Sequence, residues 1–130
     1  MGKAAKFQAP DLIGTGILDR AARDWGWKGP EAKRRATEWY VAFLNVVYNN
    51  PGGRVFIVTK EADQLWHTHI TYTVRYRQYC EAILGFYLDH TPTFHTITFT
   101  AEDAKAAQQA YEGVIPNYAS ITPDLISCCW

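Results

Sequence analysis

The sequence lacks the features of a membrane-spanning protein and those of a disulfide-rich protein. None of its apolar runs reaches the ~18 residues that a transmembrane helix needs. The N-terminal stretch MGKAAKFQAP has no uninterrupted apolar segment of the kind found in secretory signals. The three cysteines, at positions 80, 128 and 129, have no C-x-x-C spacing, which argues against a disulfide framework and against a zinc ribbon. We therefore expect a cytoplasmic protein without a membrane partner.

An excess of charge of one sign is also missing. Lys and Arg total 13 and Asp and Glu total 13, so the formal net charge is zero. Such a balance gives no electrostatic basis for a nucleic-acid partner. The basic run Lys33-Arg34-Arg35 lies in a predicted helix, where it is typical of a solvated face. The chain also contains no glycine-rich phosphate loop, serine nucleophile elbow or H-E-x-x-H motif.

What the sequence does contain is enough apolar material for one folded domain. Of its 130 residues, 48% are hydrophobic and 15% are aromatic. A chain of this length buries roughly two-thirds of the surface that its unfolded form exposes, so a self-sufficient core is feasible. We predict a flexible arm over residues 1–10, a single helical domain over 11–122 and a C-terminal tail over 123–130.

Apolar residues at helical spacing predict an all-α fold, a compact bundle of four to five helices with long loops and a coil C-terminal tail. The predicted helices run approximately over residues 11–25, 30–49, 61–84 and 101–112, with a break at 71–73. Thr71 or Thr73 would cap the helix that follows the break, and Gly85 would end it.

One short segment, Val55 to Val58, has an apolar pattern that fits two structures. It could form an isolated strand, or it could be an extended lead into the next helix that needs no sheet partner. Thr59 is a suitable N-cap for that helix, with acidic residues at Glu61 and Asp63 in its first turn.

Side chains that bind metals are concentrated between Asp63 and His90. On a helix, residues four apart share a face, so Asp63 and His67 can approach one ion. His69 lies about 200° around the helix axis from His67 and cannot join them without distortion. We therefore predict a metal site formed by Asp63, His67 and His90, with Cys80 as a reserve ligand.

Two imidazoles and one carboxylate with open positions suit zinc or iron, and Cys80 would favour zinc. The domain would then be a metal-dependent enzyme for a small molecule or peptide. In that hypothesis His69 and Tyr76 act as general acid and base, and Trp66 and Tyr72 line the pocket.

Two other functions fit the same residues. In the second hypothesis the His, Asp and Cys side chains form a structural hydrogen-bond network within a non-enzymatic interaction module. A metal-free cyclase or isomerase that uses His and Tyr as acid and base is the third hypothesis. The terminal Cys128-Cys129-Trp130 would be a packed tail, or thiols that bind a soft metal or are oxidised.

The segment D-Q-L-W-H-T-H-I from Asp63, followed by Arg75-Tyr76, Cys80-Glu81, Gly85 and L-D-H-T-P ending at Pro92, resembles a known pattern. It is similar to the glycine-rich domain-containing protein-like family, over about residues 39–118. The resemblance implies an α-helical domain of uncharacterised function. The chain departs from that pattern at Tyr72, where many relatives carry an acid, and it lacks the glycine-rich extension.

Overall fold

The structure, a computed structural model, describes residues 16–50, 57–89, 101–114 and 125–126. Within these ranges the chain forms five helices and one short antiparallel strand pair: α1 Ile17–Trp25, α2 Gly29–Asn49, β1 Ile57–Val58, α3 Lys60–Thr71, α4 Thr73–Ile83, α5 Ala101–Glu112 and β2 Leu125–Ile126. The all-α prediction is confirmed. The arm predicted over residues 1–10 lies outside the described residues.

The helix ends follow from local residue chemistry. Gly26 adopts a left-handed conformation with φ 71°, and its N–H bonds the Ala22 carbonyl, which closes α1. Pro30 stands in the first turn of α2, where its missing N–H leaves no helical hydrogen bond unmade. Gly85, with φ 85°, donates to the Cys80 carbonyl and ends α4 as predicted.

The predicted break between α3 and α4 is confirmed at Tyr72, but its predicted cap is wrong. Tyr72 occupies the N-cap position of α4, and no side chain caps that helix. The hydroxyl of Thr71 donates instead to the Thr68 carbonyl, 2.6 Å away, in the last turn of α3. Because that hydroxyl is committed to the preceding helix, it does not cap the next one.

The short strand pair agrees with the strand interpretation of residues 55–58 at Ile57 and Val58, but it differs from the coil expected for the C-terminal tail. Ile57 pairs with Ile126 and Val58 with Leu125 in antiparallel register. The segment before α3 therefore has a sheet partner, and the C-terminal tail is not coil at residues 125–126. The physical reason is that Ile57 is fully buried, where backbone N–H and C=O groups need hydrogen-bond partners.

The core is built on α2, whose Trp39, Tyr40 and Phe43 are fully buried. The Phe43 ring packs against Trp66 of α3, with ring centroids 4.9 Å apart, and α2 and α3 form the most extensive helix contact described. Trp39 packs on Tyr111 of α5 at 5.8 Å. None of the helices in the described ranges combines the length and apolar character needed to cross a membrane. The fold thus presents one face of α3 to the core.

Candidate functional site

The W-H-x-H segment lies on α3, where it divides between core and surface. Thr59 is the N-cap of this helix, and its hydroxyl accepts a hydrogen bond from the Ala62 N–H at 3.2 Å. Trp66 and His69 are buried, whereas His67 is exposed. The helical period of 3.6 residues causes this division, because neighbouring positions cannot share one face.

Asp63 and His67 form a pair on the outer face of α3. The distance from His67 Nε2 to Asp63 Oδ2 is 3.3 Å, and the two side chains are 45% and 21% exposed. The hydrogen bond to Asp63 raises the pKa of His67, and burial opposes that rise. The pair therefore offers a carboxylate oxygen and an imidazole nitrogen to a positively charged ligand, in competition with a proton.

The corner between α1 and α2 lies beside this pair and contacts the adjacent face of α3. The Trp25 indole Nε1 donates to Thr68 Oγ1 at 2.9 Å, and the Trp25 ring stands perpendicular to the His67 ring with centroids 6.2 Å apart. Trp27 Nε1 donates to Gln64 Oε1 at 2.7 Å. Sequence reasoning missed both tryptophans. The only sequence signal was the four-residue spacing of Gln64 and Thr68, which places two polar side chains on one face.

His69 lies in the core and is enclosed by aromatic rings. Its Nδ1 is 2.7 Å from the Tyr40 hydroxyl. The rings of Tyr40, Tyr76 and Tyr79 stand nearly perpendicular to the imidazole, at centroid distances of 5.7, 5.0 and 5.0 Å. Burial lowers the pKa of His69 to about 4, so the ring is neutral near pH 7. Sequence reasoning missed Tyr40 as its partner, because the two residues are far apart in the chain.

Tyr76 connects α3, α4 and the segment after α4. Its hydroxyl accepts a hydrogen bond from Trp66 Nε1 at 2.9 Å and donates to the Leu88 carbonyl at 2.5 Å. Burial raises the pKa of Tyr76 far above its ordinary value. Cys80 is buried beside this group, and burial also raises the pKa of its thiol. A buried thiol that stays protonated is a poor nucleophile and a poor metal ligand.

The predicted site residues thus fall into two groups. Asp63 and His67 lie together on the surface, while His69, Tyr76 and Cys80 lie in the core. His90, the predicted third ligand, lies outside the described residues. Within the part of the chain that is described, no three His, Cys, Asp or Glu side chains come close enough to hold a metal together.

The two residues predicted to line a pocket differ in how deeply they are buried. Trp66 is fully buried against Phe43, so a ligand would reach it only by displacing core side chains. Tyr72 is half-buried at the break between α3 and α4. An open surface groove of about 510 Å³ lies elsewhere, between the end of α1 and the start of α2. It is lined by Ala22, Arg23, Trp27, Gly29, Pro30 and Lys33.

The sequence of this domain matches one known family. A sequence model described as UCP032817-like matches residues 32–123, which is more than half of the chain. The chain belongs to the UCP032817-like family. No curated protein and no solved structure matched it. The expectation of an uncharacterised family of small helical domains is confirmed, whereas the link to the glycine-rich domain-containing protein-like family stays a prediction.

The matched region covers some of the helices of this UCP032817-like domain and leaves out others. It includes α3, α4 and α5, and with them Asp63, His67 and the buried His69 group. It begins within α2, so α1 and the corner with Trp25 and Trp27 precede the matched region. Asp63 and His67 therefore lie within the matched region, whereas Trp25, whose ring contacts His67, precedes it.

Proposed function

We propose that this UCP032817-like domain is a metal-binding module, with Asp63 and His67 as two ligands of a zinc or iron ion. The observation that carries the proposal is the 3.3 Å separation of His67 Nε2 and Asp63 Oδ2 on an accessible face of α3. In tetrahedral zinc sites with bonds of ~2.0–2.1 Å, neighbouring ligand atoms lie about 3.3 Å apart. The pair has the spacing of one edge of such a site without any movement of the backbone.

His90 is the proposed third ligand. It directly follows Asp89, and the nearby Leu88 carbonyl is fixed by the Tyr76 hydroxyl. Two nitrogens and one carboxylate oxygen leave at least one coordination position for water or a ligand. A small molecule or a peptide that carries an acidic group would suit that position.

His69 and Tyr76, the two residues predicted to be catalytic, fit a structural role within a binding module better than a role in catalysis. His69, with a pKa of about 4, and Tyr76, with a raised pKa, do not exchange protons readily near neutral pH. Both are buried in the core and engaged by neighbouring side chains. A catalytic pair would need access to substrate, so we assign these residues to the internal hydrogen-bond network.

Two measurements on untagged protein test the metal site: elemental analysis, and titration with zinc monitored by calorimetry. We expect one ion per chain, and we expect H67A, D63N and H90A to weaken binding by roughly tenfold or more, since each removes a ligand. The matched controls are H95A and E38Q, which remove another imidazole and another helical carboxylate. Native protein that retains no metal, or that binds no more tightly than H67A, would exclude the proposal.

A further inference from the structure

Two hydrogen bonds along one stripe of α3 hold the end of α1 in place. Gln64 and Thr68 are spaced four residues apart, and each accepts a hydrogen bond from a tryptophan of α1 or of the corner that follows it. Trp27 Nε1 donates to Gln64 Oε1, and Trp25 Nε1 donates to Thr68 Oγ1. Trp25 is the last residue of α1, and its ring contacts His67, so the end of α1 lies beside the Asp63–His67 pair.

Trp25 differs from its neighbours because it touches both the stripe and the pair. Its indole N–H is held by Thr68, which fixes the ring against α3. The same ring stands at 90° to the His67 imidazole with centroids 6.2 Å apart, within the range of edge-to-face aromatic contacts. The hydrogen bond to Asp63 orients the same imidazole, so the Trp25 ring acts together with that hydrogen bond.

From this geometry we infer that Trp25 is a positioning residue for the Asp63–His67 site, and that it couples α1 docking to ion binding. This inference rests on the proposed function. The indole holds the imidazole in the rotamer that directs Nε2 towards Asp63. An ion bound by both side chains stabilises the same rotamer, so ion binding and α1 docking strengthen each other by the same factor.

The first experiment uses metal-free protein and compares W25A, W25F, W27A and W27F by NMR. Three-bond couplings report the rotamer of His67, and we expect one rotamer in native protein, W27A and W27F. In W25A we expect partly averaged couplings, because one of the contacts that confine the imidazole is gone. W25F keeps an aromatic ring but loses the Thr68 hydrogen bond, so its couplings should lie between the two.

The second experiment adds zinc to the same set. We expect W25A to weaken zinc binding by roughly three- to tenfold and W27A by less than twofold, although both remove an indole that bonds α3. Zinc should slow hydrogen exchange of the α1 amides in native protein and in W27A, but not in W25A. Equal zinc affinity in W25A and W27A, with one His67 rotamer in both, would overturn the inference. If no variant binds zinc while W25A alone loses the rotamer, the proposed function fails and the positioning role stands.

Discussion

The fold holds His69 in its uncharged form. The imidazole is almost fully buried between three tyrosine rings, and its pKa falls from 6.5 to about 4 because burial disfavours the charged ring. In the unfolded chain the same imidazole takes up a proton below pH 6.5. Between these two pKa values the unfolded state binds more protons than the folded state, so stability rises with pH across that window.

We therefore predict that His69 makes the domain acid-sensitive. The contribution of His69 to the free energy of unfolding should be constant above pH 7 and fall by about 3 kcal/mol between pH 6.5 and pH 4. Urea unfolding at several pH values measures the change. H69Q keeps a hydrogen-bond acceptor for Tyr40 but does not titrate, and the other three histidines are common to both proteins. Parallel stability profiles for native protein and H69Q would contradict the prediction.

At the residue scale, sequence reasoning succeeded where the relation was local. The Asp63–His67 pair followed from four-residue spacing, and His69 stood on the predicted apolar stripe of α3. The Tyr40 partner of His69 and the Trp25 partner of His67 could not be predicted. They come from other helices, and their positions depend on how α1 and α2 pack on α3.

At the element scale, the helices were predictable because each carries its own period and end signals. The stop at Gly85 and the break at Tyr72 were both visible in residue types with known backbone preferences. The β1–β2 pair was not predictable, since it joins Ile57 to Ile126 across most of the chain. Two-residue strands carry no periodic pattern that would reveal a distant partner.

Thr59 combines an N-cap with a strained backbone. It is the only non-glycine residue with positive φ among those described, at φ 75° and ψ 142°, a region that residues with a Cβ rarely adopt. Its hydroxyl still accepts the Ala62 N–H. Alanine would lose the cap and keep the strain, whereas glycine would lose the cap and relieve the strain.

We expect T59A to lower the free energy of unfolding by about 1 kcal/mol, the typical cost of a lost N-cap. T59G should be more stable than T59A by on the order of 1 kcal/mol, because strain at such backbone angles costs ~1–3 kcal/mol and the entropy of glycine offsets part of the relief. Urea unfolding of both variants measures the difference. T59S, which keeps the hydroxyl, is the control and should stay close to native stability. An order in which T59A exceeds T59G would show that the backbone at this residue is unstrained.

At the scale of the whole molecule, α1 belongs to the folded unit even though the family match begins after it. Ile17, Leu18 and Ala21 are buried in the common core. The side chains of Trp25 and Trp27 also reach the α3 stripe. Helix α1 therefore contributes side chains both to the core and to the surroundings of the Asp63–His67 pair.

A chain that starts at residue 29, and so lacks α1, should be markedly less stable than the full chain. Burial of Ile17 and Leu18 alone contributes about 1.5–3 kcal/mol each, a large part of the ~5–15 kcal/mol that stabilises a typical domain. We expect the thermal midpoint, followed by circular dichroism, to fall by roughly 10 °C or more, or the cooperative transition to disappear. L18A in the full chain should show part of this loss, and R23Q, which changes only an exposed side chain of α1, should show almost none. If the shortened chain unfolds cooperatively at the native midpoint, α1 contributes nothing to the core, and Trp25 cannot couple it to the Asp63–His67 pair.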